Sequence, residues 1–246
     1  MFRVIWQSAY TLFALASFIV SVLLAFPFFA LISTGNSRTS RKAIWTIIHY
    51  WARGWLWFIG MPVKISGPEP PPGRYIIVAN HISYIDAIVI FPAIRHYFRP
   101  LGKKEFARIP VLGFIYKQVV LLVDRSSQRS RSKSMRLMYR TVRHEANIII
   151  FPEGTFNETG APLKSFYDGA FRLAVNARTP ILPLLLPDTE DRWHYSGWWK
   201  AKPGRNRAVY LDPVPVDGLT LADVPRLKQE VYDVMEAAMI RLRAKD

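Results

Sequence analysis

His81 and Asp86 are the residues in this sequence whose types and spacing speak most directly of chemistry. They stand five apart in Asn80-His81-Ile82-Ser83-Tyr84-Ile85-Asp86, immediately after an apolar run at residues 75–79 with strand character. Residues five apart in one straight helix point about 140° away from each other, so these two side chains meet only if the chain bends between them. A loop carrying His81 and a first helical turn carrying Asp86 supplies that bend. The carboxylate then accepts a hydrogen bond from Nδ1 while Nε2 faces a substrate, which makes His81 a positioned general base. A second reading stays open beside it. Ser83-x-x-Asp86 matches a capping box with Ser83 as N-cap, which accounts for Asp86 and leaves His81 without a role. The two readings are compatible.

The elements that must position this pair follow from composition and patterning. A chain of 246 residues, half of them hydrophobic, suffices for one sizeable α/β domain with an appendage. There is no cysteine, which excludes disulfides, thiolate metal sites and a cysteinyl acyl-enzyme. A formal charge of +15 points to anionic partners: nucleic acid, phospholipid headgroups or a phosphorylated small molecule.

Residues 4–32 carry no charged side chain, a run longer than the roughly 20 apolar residues that span a bilayer. It is too long for a secretory signal, and its Ala14-Leu15-Ala16 match falls inside the run. Pro27 leaves a re-entrant hairpin open as an alternative to a span. Arg38, Arg41 and Lys42 follow the run and only Arg3 precedes it, a bias that places the downstream chain on the cytoplasmic face of a membrane. Residues 43–60 contain Trp45, Trp51, Trp55 and Trp57, and read as a helix at headgroup level, because four buried indoles would each need a partner for their N–H. The Pro-rich residues 67–73 read as a stiff linker between membrane and globular parts. The expected division is a membrane-embedded and interfacial part, residues 1–62, and an α/β domain, residues 63–246.

Beyond the linker, apolar runs at 75–79, 119–123, 147–151, 181–186 and 208–211 alternate with helical stretches, predicting α/β architecture with a largely parallel sheet and flanking helices. Pro183 inside the fourth run predicts an edge strand or a bulge. Lys103-Lys104-Glu105 lies between the first two runs. Arg125 follows the second, at the same kind of strand edge as His81, where it could hold an anion or merely pair with Asp124. Residues 126–143 mix arginines with Met135, Met138, Tyr139 and Val142 at helical spacing, an amphipathic helix with a cationic outer face. No nucleic-acid module accompanies it, so no nucleic-acid partner is expected. In Pro152-Glu153-Gly154-Thr155, Gly154 would let backbone approach a ligand and Glu153 could bind a hydroxyl or orient a basic residue; a bare turn is the alternative. Two further helices are expected at 167–178, with Ala170, Phe171, Ala174 and Val175 inward, and at 221–243. Residues 193–207, with Trp193, Trp198 and Trp199 among lysines and arginines, read as a second membrane-facing loop or a lid over the site.

Taken in order, Asn80-His81-x4-Asp86, residues 119–125, Phe151-Pro152-Glu153-Gly154-Thr155 and Pro180-x-x-Pro183 resemble the four blocks of the glycerolipid acyltransferases, in particular the 1-acyl-sn-glycerol-3-phosphate (lysophosphatidic acid) acyltransferases. The resemblance covers residues 64–187 strongly and the hydrophobic N-terminal region more loosely. It implies that His81 takes the proton from a glycerol hydroxyl, oriented by Asp86, and that the oxygen attacks an acyl thioester directly without a covalent enzyme intermediate. It further implies that Arg125 and Lys104 hold the acceptor phosphate, and that Asn80, Ser83, Glu153, Gly154 and Thr155 line the acceptor pocket. The implied partners are membrane phospholipids, a lyso-lipid acceptor and acyl-CoA or acyl carrier protein as co-substrate; no cofactor or metal is implied. Two positions depart from the family: Val119 and Phe156 stand where it commonly has glycine and arginine. The loss of that arginine makes another lyso-lipid or a hydroxylated amino-lipid an alternative acceptor. An inactive membrane lipid-binding or scaffold protein is a third reading, against which His81, Asp86, Glu153 and Gly154 weigh.

Overall fold

The computed structural model describes residues 2–33, 35, 37–123 and 127–244. Helix α1 (Phe2–Ser33) is the uncharged run, long and apolar enough to cross a membrane, and it continues through Pro27 to Ser33. The chain reverses after α1, so Pro27 is not the turning point. Helix α2 (Arg38–Phe58) starts at Ser37, whose side chain accepts the Ser40 N–H at 3.0 Å. It runs back along α1, with Trp51 and Trp55 edge-on to Phe18 and with Phe58 beside Phe13.

The tryptophan helix corrects the expectation drawn from its composition. Ile44, Trp45, Ile48, Ala52, Trp55 and Leu56 fall at helical spacing and are buried, leaving Trp57 74% exposed. Trp55 satisfies its indole by donating to Ser17 Oγ at 3.1 Å. Trp45 Nε1 and Trp51 Nε1 are buried without a partner, so packing prevails over indole satisfaction there.

The rest is a layered α/β unit. In chain order it contains β1 (Val63–Ser66), β2 (Ile76–Ala79), α3 (Asp86–Ala93), β3 (Phe98–Lys103), α4 (Leu112–Val119), β4 (Leu121–Val123), α5 (Gln128–His144) and β5 (Asn147–Ile150). It continues with α6 (Gly169–Ala177), β6 (Ile181–Leu185), the short α7 (Thr189–Arg192), β7 (Asn206–Tyr210) and α8 (Val224–Arg243). The strands form one sheet in the order β1-β7-β6-β2-β5-β3-β4, and every pairing is parallel except β6 with β7. The carboxyl ends of β2 to β6 therefore share one edge.

Strand periodicity divides the core in two. Ile77, Ala79, Ile149, Leu182 and Leu184 face a layer containing Ala14, Phe29, Trp45 and Trp55. Ile76, Val78, Ile148, Ile150 and Ile181 face a layer built from α5, α6 and α8. Residues on both sides of position 62 thus share one core. The Pro-rich segment is not a boundary either: β1 precedes it and pairs with β7, so it connects two strands of the sheet.

β1 and β3 escape the sequence reading because Lys64, Arg99, Pro100 and Gly102 interrupt their apolar character. The run at 119–123 divides, with Val119 ending α4 before β4 begins. Pro183 lies in an interior strand, contrary to the edge expectation, and its carbonyl accepts Leu211 N–H at 3.1 Å, just past the end of β7. In α5, Met138 and Val142 are buried as expected, whereas Tyr139 faces outward.

Candidate active site

β2 ends at Ala79 and α3 begins at Asp86, so His81 lies on the bend between them. Its Nδ1 is 2.9 Å from Asp86 Oδ2, and the same oxygen accepts the Ile82 and Ser83 N–H groups, each at 2.8 Å. Three N–H donors converging on one oxygen of a fully buried residue pin Asp86. A carboxylate there can only accept, so the proton of the imidazole sits on Nδ1 and the lone pair on Nε2. The His81 side chain is 21% exposed, open on one side.

The capping reading is present in half. Asp86 accepts the Ser83 N–H, but Ser83 Oγ accepts from Ile85 N–H at 3.2 Å and donates to the Trp193 carbonyl at 2.5 Å. One carboxylate therefore starts α3 and orients His81 at once.

Around this pair the expected pocket residues divide into those that build and those that face outward. Asn80 is buried and ties β2 to β6, its Oδ1 accepting Leu186 N–H at 2.7 Å and its Nδ2 donating to the Leu186 carbonyl at 3.1 Å. Ser83 is fully buried. Glu153 is 1% exposed, and its two oxygens accept backbone N–H groups, His81 at 2.8 Å through Oε1 and Lys164 at 2.9 Å through Oε2. These three were expected to line the acceptor pocket; their polar groups are consumed inside the protein, so they position the site instead. Burial pushes the Glu153 carboxyl up to about 7, against the two N–H bonds and the nearby His81 that favour its charged form.

Gly154 and Thr155 do lie at the rim. Phe151 to Gly154 is a turn closed by Gly154 N–H to the Phe151 carbonyl at 3.1 Å, and Gly154 sits at φ +75°, where a side chain would be strained. Thr155 is exposed, and its Oγ1 accepts from Lys164 Nζ at 2.8 Å. Lys104 opens a 3-10 turn, Lys104–Arg108, after β3, two places from β2 in the sheet and so about 10 Å across it. Arg125 lies outside the described residues.

Four contributors to the site, Phe151, Phe156, Tyr84 and Lys164, were missed by sequence reasoning. The His81 ring stacks on Phe151 at 4.3 Å and meets Phe156 edge-on at 4.5 Å, with Tyr84 against Phe156 at 5.1 Å. Lys164 shares Glu153 with His81 and brings an ammonium to the rim. No periodicity marks it; a lone lysine ten residues beyond Gly154 was the only signal. Among the described residues no group of three His, Cys, Asp or Glu side chains is arranged to hold a metal ion.

The family model for acyltransferases matches residues 62–186. A 1-acyl-sn-glycerol-3-phosphate acyltransferase from Limnanthes douglasii is 31% identical over 186 residues, covering 73% of this chain and 64% of the relative. The alpha form from Mus musculus is 30% identical over 180 residues, 72% of this chain and 63% of the relative. The chain spans just under two thirds of the length of these two. The human beta form is 30% identical over 211 residues, 80% of this chain and 72% of the relative. Among solved structures, the crystal structure of the 1-acyl-sn-glycerophosphate acyltransferase from Thermotoga maritima matches with a TM-score of 0.80 at 22% identity, covering 99% of this chain and 97% of that one, a likeness of fold.

Proposed function

Because the chain belongs to the acyltransferase family, we propose that it transfers an acyl chain from a thioester donor to the free hydroxyl of 1-acyl-glycerol 3-phosphate, forming phosphatidic acid. The observation that carries this reading is the His81 Nδ1 to Asp86 Oδ2 bond at 2.9 Å on an imidazole that remains 21% exposed. His81 Nε2 takes the hydroxyl proton as the oxygen attacks the thioester carbonyl. Asp86 offsets the charge of the imidazolium that forms. Collapse of the tetrahedral adduct breaks the carbon–sulfur bond, and the same proton passes to the departing thiolate. General base catalysis of this kind contributes about 10² to 10⁴-fold; alignment of two amphiphiles supplies much of the remainder.

The acceptor phosphate is held at the rim. Phe156 brings no charge there, but Lys164 stands next to it on Thr155, with its main chain fixed to the carboxylate that also fixes His81. Lys104, after β3, extends the cationic rim, and Arg125, which follows β4 in the sequence, is the further candidate. The donor is acyl-CoA or acyl carrier protein. α1 holds the protein at a membrane, with the catalytic unit on the cytoplasmic face.

The test is acyl transfer from acyl-CoA and from acyl carrier protein to a panel of lyso-lipids, read by mass. Phosphatidic acid is the expected product from the 1-acyl-glycerol 3-phosphate well. Transfer only to a phosphate-free or amino-lipid acceptor would move the assignment to the alternative that Phe156 favours, and no transfer to any acceptor would leave the scaffold reading.

A further inference from the structure

Residues 193–201 are not used by the chemistry above, yet they touch both ends of the problem. On one side they are fastened to α1: Thr11, fully buried, accepts Ala201 N–H at 3.1 Å, and its hydroxyl proton is shared between the Gln7 carbonyl at 2.7 Å and the Trp199 carbonyl at 2.9 Å. On the other they are fastened to the His81 loop. Ser83 Oγ donates to the Trp193 carbonyl, Tyr84 Oη donates to the Tyr195 carbonyl at 3.0 Å, and Ser83 forms a β-bridge with His194. Tyr84 in turn packs on Phe156, and Phe156 on His81.

The loop is rigidly built. Trp193 is buried, donates from its indole to the Trp198 carbonyl at 2.8 Å and bridges to Ala201. Its tip does the opposite of what a self-contained loop should do, since Trp198 and Trp199 turn outward, 54% and 43% exposed. The surface of α1 next to their anchor is equally apolar and open at Leu12 and Phe13. Arg205, just beyond the loop, is exposed.

We propose that residues 193–201 form a second lipid contact continuous with α1, and that this contact holds the membrane surface against the mouth of the His81 site. The occupant is the headgroup level of a bilayer. Indoles concentrate there because a large apolar ring and one N–H donor suit the boundary, and the exposed Arg205 beside them suits an anionic headgroup. The strap running from Thr11 through Trp199 and Trp193 to Ser83 then fixes how deep the site sits, so a lyso-lipid reaches His81 without leaving the plane of the bilayer. This rests on the membrane reading of α1.

The chain has no cysteine, so a single Trp198→Cys substitution in the full-length protein accepts one environment-sensitive fluorophore. Ala237→Cys, on the exposed side of α8, is the reference. The probe is a vesicle of phosphatidylcholine and phosphatidylglycerol. With the protein vesicle-bound, the label at 198 should shift to the blue and lose intensity to lipids spin-labelled near the headgroup, while the label at 237 does neither. A bound protein whose two labels behave alike overturns the proposal. A blue shift at 198 on adding a monomeric short-chain acceptor without vesicles identifies a lid, and overturns it too. Failure to bind vesicles at all would sink the membrane reading of α1 together with this one. A Trp198→Ser, Trp199→Ser double variant gives an independent arm. It should lose more activity on acceptor presented in vesicles than on a monomeric short-chain acceptor, and equal losses on both count against the proposal.

Discussion

Asp86 serves two structures with one oxygen, and that makes its asparagine variant informative. In Asp86→Asn the new side chain would place its carbonyl oxygen toward the three N–H donors and its amide toward the side where Oδ1 lies buried without a partner. The helix start survives, so Asp86→Asn should cost about 1 kcal/mol or less of stability, while turnover falls about 100-fold or more for want of the charge that stabilises the imidazolium. Thermal unfolding and steady-state rates separate the two; near-normal turnover would reduce Asp86 to a cap. For Lys164, replacement by alanine keeps the backbone N–H bonded to Glu153 and removes only the ammonium. The KM for the anionic acceptor should rise about tenfold, with a smaller change in kcat and in the KM for the donor, as expected for lost binding that is shared by ground and transition states. Glu153 makes a prediction about pH. Its folded pKa of about 7 lies above the ordinary 4.5, so the stability it contributes is fully present below about pH 4.5 and is lost as pH rises through about 7. Unfolding midpoints followed from pH 5 to 8 should therefore fall for the wild type relative to Glu153→Gln, and parallel profiles would contradict a raised carboxyl.

At the scale of elements, the site is a property of one sheet edge. β2 delivers His81, β5 delivers Glu153 and Gly154, β3 delivers Lys104, and the end of β6 receives Asn80. The opposite edge carries a tether that holds the helical hairpin on this frame. Glu145, at the end of α5, accepts from Arg41 Nε at 2.8 Å and Tyr97 Oη at 3.1 Å, with Arg99 Nη1 at 3.6 Å, while its carbonyl accepts from Arg38. Burial alone would raise its carboxyl, but the Arg41 hydrogen bond and the two guanidinium charges hold it below the usual range. Removing the carboxylate leaves the largely buried Arg99 beside uncompensated charge. Glu145→Ala should cost about 2–3 kcal/mol, below the roughly 3–5 of a fully buried pair because Arg41 keeps contact with water. Denaturant unfolding measures this, and a change under about 0.5 kcal/mol, the usual range for a surface substitution, would remove Glu145 from the frame.

For the whole molecule, the helical hairpin and the sheet share a core, and the outer face of α1 remains apolar along its length, with Val4, Leu12, Val20, Leu24, Phe28 and Leu31 exposed. A chain of charge +15 could adhere to anionic lipid by its surface charge alone, and screening distinguishes the two modes. The protein should stay with membranes in 1 M salt, where the Debye length is about 3 Å, and should leave only in detergent. Release by salt would assign attachment to the basic surface.

The sequence alone determined the pair His81 and Asp86, the α/β alternation and the apolar first helix, because each is a local signal: a five-residue spacing across a bend, a strand run and an unbroken uncharged stretch. Asp86 as both cap and partner was already legible as two compatible readings. What only the tertiary structure decided is which polar groups look outward. Asn80, Ser83 and Glu153 carry the residue types of a binding pocket, but Leu186, Trp193 and His81, which arrive from far along the chain, and the nearer Lys164 consume their hydrogen bonds. Trp45 and Trp55 likewise became core residues because α1 and the sheet closed on them from both sides. Composition records which groups a segment carries; burial and partnership depend on what other segments bring, and that is fixed only when the chain closes.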